Sequence, residues 1–96
     1  MIHSVTIIVH IFDSKQQKHL VGYREINLPF APYIGMSVQS GGVDFGAFNT
    51  VTWIELEDRF SCTISYDRQH SAEDLEFIVN EAKSVGYQWT EEESPT

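Results

Sequence analysis

The sequence predicts an α+β domain, an antiparallel sheet of four to six strands, able to curl into a small barrel, with one C-terminal helix. Three observations lead there. Thr50–Tyr66 alternates apolar and polar residues about a polar tip, Ile2–Phe12 alternates in the same way, and Ser71–Val85 carries a single apolar stripe at helical spacing. The chain has 96 residues, enough to bury one core, so residues 1–90 are expected to form a single α+β domain.

In the Thr50–Tyr66 stretch, Phe60, Cys62, Ile64 and Tyr66 alternate with Ser61, Thr63 and Ser65. That period gives a strand one face against a core and the other in water. Val51–Leu56, rich in β-branched and aromatic residues, precedes it, and Glu57-Asp58 supplies the tip of a hairpin placed at the centre of the sheet.

Ile2–Phe12 puts Val5, Ile7, Val9 and Ile11 on one face and Thr6, Ile8, His10 and Phe12 on the other. A wholly β-branched face and a second, partly apolar one mark an interior strand. The polar run Asp13–His19 reads as a hairpin connection, and Leu20–Leu28 as the returning strand. Arg24 shares the phase of Leu20, Ile26 and Leu28 while Gly22 interrupts it, a pattern that predicts a bulge or bend at Gly22.

Pro29 and Pro32 stop that strand. The apolar segment 28–36 (LPFAPYIGM) is expected to pack beneath the sheet, with an exposed aromatic binding surface at Phe30 and Tyr33 as the other reading. Val38 fits a short extra strand, and the glycine-rich run Gln39–Asn49 a flexible loop. After a polar link at 67–70, Ser71 is placed to cap the helix, Leu75, Ile78, Val79, Ala82 and Val85 form its buried stripe, and Gly86 ends it. Tyr87–Trp89 is read as a last short strand or a cover for the helix end, and residues 91–96 (EEESPT) as a disordered acidic tail.

The net charge of −8 resides entirely in the second half, where residues 47–96 hold eleven acids against Arg59, Arg68 and Lys83. Phosphate contacts come from Lys and Arg, so direct nucleic-acid binding and anionic membranes are not expected, whereas a basic protein partner is compatible. One cysteine leaves no internal disulfide, the N-terminal stretch lacks a basic leader, and no apolar run spans a bilayer; a cytoplasmic setting is expected.

No residue set recommends itself for chemistry. The four histidines show no His-x-His or helical His pair, and His3 and His10 fall on opposite faces of one strand, so no metal and no cofactor is expected. Cys62 has a core phase and reads as buried and inert. Residues 41–46 lack the Lys and Ser or Thr of a phosphate loop, and the Glu55/Glu57 pair near a hairpin tip reads as solvated. No catalytic residue is assigned.

The expected function is therefore a small acidic, non-enzymatic protein-interaction or regulatory module. Two alternatives differ in class or target. One is an immunity-type or nucleic-acid-mimic inhibitor of a basic toxin or nuclease; the other is a small hydrolase or ligand-binding protein with a pocket near residues 28–36. The expected partner-binding residues are Phe77, flanked by Glu73 and Glu81 on the outer helix face, and Phe30 and Tyr33 in the apolar loop. Phe77 is either such an anchor or is covered by Trp89, the tail or a second copy of the chain, so self-association also stays open.

Overall fold

The computed structural model describes residues 2–13, 17–39, 44–67 and 72–92. These form five strands and one helix: β1 His3–Asp13, β2 Lys18–Leu28, β3 Thr50–Ile54, β4 Arg59–Asp67, α1 Ala72–Ser84 and β5 Gln88–Glu92. The domain is α+β, but the sheet is open and mixed, not barrel-like and not purely antiparallel. Its order is β3-β4-β1-β2-β5, with β1 and β4 parallel and the other neighbours antiparallel. The β3-β4 hairpin consequently lies at one side, with β3 an edge, and β1 is the central strand.

This order explains why one face is covered and the other open. The chain leaves β2 and must cross β1 and β4 to reach β3, then leaves β4 and must cross β1 and β2 to reach β5. Each crossing joins strands of the same direction, and the two run opposite ways along the sheet, so a single hand of crossover puts both on the same face. Residues 29–39 and 44–49 belong to the first crossing and α1 to the second. They close over Val5, Ile7, Val9 and Ile11 of β1 and Cys62 and Ile64 of β4, joined in one core by Met36, Phe45, Phe48, Leu75, Ala82 and Tyr87. The opposite face carries Thr6, Ile8, His10 and Phe12 on β1, with Ser61, Thr63 and Ser65 beside them on β4.

Several local features differ from the sequence expectation. β2 pairs with β1 without interruption from His3↔Leu28 to Asp13↔Lys18, so Gly22 makes no bulge. It is glycine because the Trp89 ring lies flat on it: a Cβ there would sit 2.7 Å from the ring. Arg24 is in apolar phase because its guanidinium lies 5.9 Å from the centre of the Tyr87 ring, an attractive cation–π placement. β3 ends at Ile54, and Glu55–Glu57 make a 3-10 turn that leaves Leu56 99 % exposed. Val38 forms no strand; its neighbour Ser37 makes an isolated bridge to Ala47.

The helix ends as the sequence predicts. Gly86 has φ +105°, its N–H donates to Lys83 O and the Tyr87 N–H donates to Ala82 O, each at 3.1 Å, the paired bonds of a Schellman motif. Leu75 and Ala82 are buried, whereas Ile78 and Val79 are half-buried. The proposed cap, Ser71, lies outside the described residues, as do residues 93–96; Glu91 and Glu92, the start of the expected tail, belong to β5. Among the described residues no helix is long and apolar enough to cross a membrane.

Candidate functional site

The apolar segment after β2 divides by side. Pro32 and Met36 turn inward and are buried, while Phe30, Tyr33 and Ile34 stay outside at 48 %, 61 % and 68 % exposure. The expectation that this stretch packs beneath the sheet thus holds for only part of it. The backbone gives the reason. Tyr33–Met36 is a tight turn closed by the Met36 N–H donating to Tyr33 O at 3.1 Å, and Gly35, the third residue, takes φ +93°, the pattern of a type II turn. Such a turn presents its two corner residues outward, here Ile34 and Gly35.

The turn is fastened to the second half of the same crossing. Gly35 N–H donates to Phe48 O at 3.0 Å and Phe48 N–H donates to Met36 O at 2.8 Å, with the Ser37–Ala47 bridge just beyond. Phe48 lies fully buried beneath this clasp, and the Asn49 N–H donates to Thr63 O at 2.7 Å, tying the end of the crossing to β4. Tyr33 and Ile34 therefore ride on a braced backbone. Burying a large apolar side chain stabilises a fold by roughly 1.5–3 kcal/mol. This loop forgoes much of that at three positions.

The helix contributes a fourth such group. Phe77 is 65 % exposed, on the side of α1 away from Leu75 and Ala82. Trp89 does not cover it, since that indole lies across Gly22 and meets Phe45 edge-on at 5.9 Å. Glu81 is exposed beside Phe77; the Glu73 side chain lies outside the described residues. Residues 29–39, 44–49 and α1 cover the same face of the sheet, where Met36, Phe45, Phe48, Leu75 and Ala82 share one core with β1, so Phe30, Tyr33, Ile34 and Phe77 belong to the same side of the molecule.

Among the described residues, a hollow on the open face lies elsewhere than the expected pocket at residues 28–36. It measures about 280 Å³ and is lined by Ser4, Val5, Thr6, Glu25, Ile26, Asn27 and Arg59. Arg59 spans it, donating from Nη1 to Thr6 Oγ1 at 3.0 Å and to Glu25 Oε1 at 2.8 Å. Its Nε is buried without a hydrogen bond and stands 3.8 Å from Glu57 Oε2. With its guanidinium already held by a hydroxyl and two carboxylates, this hollow is a structural ion-pair network more than a ligand pocket. Glu55 and Glu57, near the tip of the β3-β4 hairpin, occupy the 3-10 turn and are exposed.

Cys62 is fully buried in the central core, and burial pushes its thiol up to about 11, so it holds no thiolate at neutral pH. Among the described residues no three His, Cys, Asp or Glu side chains converge as a metal site. His3 and His10 do lie on opposite faces, His3 edge-on to Phe60 on the covered side. What strand phase alone does not reveal is a contact between strands. The β1-β2 register pairs Phe12 with His19 and His10 with Val21, and so brings His10 and His19 together diagonally, with His10 Nδ1 and His19 Nε2 3.2 Å apart.

No protein-family model, curated protein or solved structure matches this chain.

Proposed function

We propose that this protein is an acidic protein-interaction module that docks a basic partner through the braced loop bearing Phe30, Tyr33 and Ile34, with Phe77 of α1 as a second anchor. The observation that carries this reading is the loop itself: Tyr33 and Ile34 are held out in water by a turn whose own backbone is hydrogen-bonded to Phe48, and Phe30 stands exposed just before it. A loop that merely linked two strands gains nothing from such residues, whereas a rigid apolar projection loses little conformational freedom on binding and fits the anchors of a protein interface. The net charge of −8, with Glu81 next to Phe77, favours a basic surface around the anchor and faster association at low salt.

The test begins with affinity capture from native extract and reconstitution of the complex from purified components. Replacing Tyr33 and Ile34 together by Ala is expected to weaken binding by roughly 1–3 kcal/mol. Phe77→Ala is expected to weaken it by a smaller amount, and charge reversal at Glu73 and Glu81 to slow association and flatten its salt dependence. A basic nuclease or toxin as the captured protein would specify the module as an inhibitor. Wild-type affinity in all of these variants would refute the docking surface.

A further inference from the structure

The open face of the sheet holds a second feature, independent of the docking loop. Near one end of the β1-β2 hairpin three rings stand nearly parallel: Phe12 and His19 with centroids 4.3 Å apart, His10 and His19 5.4 Å apart, and interplanar angles of 15° and 27°. Both imidazoles are half-buried, so their orientations are set by strand position and by stacking on Phe12. Within this stack His10 Nδ1 meets His19 Nε2 at 3.2 Å.

We propose that His10 and His19 together chelate a divalent transition-metal ion of the zinc class. The separation of the two nitrogens is the carrying observation. Two metal–imidazole bonds of about 2.0–2.1 Å meeting near the tetrahedral angle leave their nitrogens about 3.3–3.4 Å apart, close to the 3.2 Å of this pair, so the two rings can embrace an ion by turning in place without a shift of the strands. The chemistry of the pair agrees. Two neutral imidazoles in contact share one proton between the facing nitrogens; a metal ion takes that place, and the displaced proton moves through water to the far nitrogen of the same ring. Both rings then stay neutral, each giving one lone pair, and water completes the coordination on the solvent side. The site stands on rigid strands rather than a loop, with Val21 and Ser65 as the cross-strand neighbours of His10 and β5 bringing Glu92 into register with His19.

The experiment is a zinc titration of the untagged full chain, followed by the ring resonances of its histidines. One equivalent of zinc is expected to shift the rings of both His10 and His19 while leaving His3 unchanged, and to raise the melting temperature as free zinc increases. His10→Gln and His19→Gln are each expected to weaken zinc binding by at least about 10-fold, since even groups that only support a ligand cost that much when lost. His3→Gln keeps wild-type affinity. Zinc shifts confined to other histidines, or equal affinity in wild type and both variants, would overturn the assignment; the wild-type spectra decide it even if a variant folds poorly.

Discussion

The layer that covers the sheet has two sides built from the same residue types and put to opposite use. Inward, Pro32, Met36, Phe45, Phe48, Leu75 and Ala82 close over β1 and β4 and are buried. Outward, Phe30, Tyr33, Ile34 and Phe77 stand in water within a few residues of those anchors. Neighbours such as Pro32 and Tyr33 share one backbone, so flexibility of the segment does not account for the difference. The inward set holds the fold together, and the outward set is free to serve something else. Stability and binding should therefore separate cleanly between the two sides.

The largest expected effect is on the inward side. Phe48 is 1 % exposed and sits beneath the hydrogen bonds that fasten the turn, so Phe48→Ala should cost about 3–5 kcal/mol in urea unfolding. An unchanged midpoint would break the distinction at its strongest point. Gly22 comes next. Any Cβ there collides with the Trp89 ring, and Gly22→Ala is expected to cost about 1–3 kcal/mol and to shift tryptophan fluorescence as the indole is displaced. Wild-type stability with unaltered emission would show that the ring has room to slide.

These sites also show what the sequence made legible. The β1 alternation, the burial of Cys62 and the glycine-terminated helix were readable because period and end signals are local. Strand order was not, since alternation states which side of a strand faces the core and nothing about its neighbours. The parallel β1-β4 pairing therefore went unseen, and Gly22 read as a bulge because the ring that needs it lies 67 positions away. Whether Tyr33 and Ile34 face the core or water stayed open for a related reason. An irregular loop has no period from which to derive facing, and only Gly35 hinted at the turn. The histidine contact depends on hairpin register, which the unpatterned link after Asp13 does not specify.

A smaller effect, absent at neutral pH, comes from the buried side. Cys62 ionises in the folded chain near 11 against an ordinary 9.0, because burial disfavours the thiolate. The unfolded chain releases that proton first, so this group lowers stability as pH rises from about 9 to about 11 and has no influence below. Burial also raises Tyr87, partly offset by the nearby Arg24 charge, and adds a loss of the same sign at higher pH. Unfolding measured across this alkaline window should show declining stability. A flat profile, together with rapid labelling of the native thiol at neutral pH, would place Cys62 outside the core.

The smallest expected change in stability belongs to the outward residues, where fold and binding can be measured on one variant. Replacing Tyr33 and Ile34 together by Ala, both more than 60 % exposed, should leave the unfolding free energy within about 0.5 kcal/mol of wild type. The same variant should lose roughly 1–3 kcal/mol of affinity for the captured partner. An intact fold with weakened binding is expected of a surface that serves a partner and not the core. A variant that binds as wild type does, or one that unfolds as readily as Phe48→Ala, would contradict it.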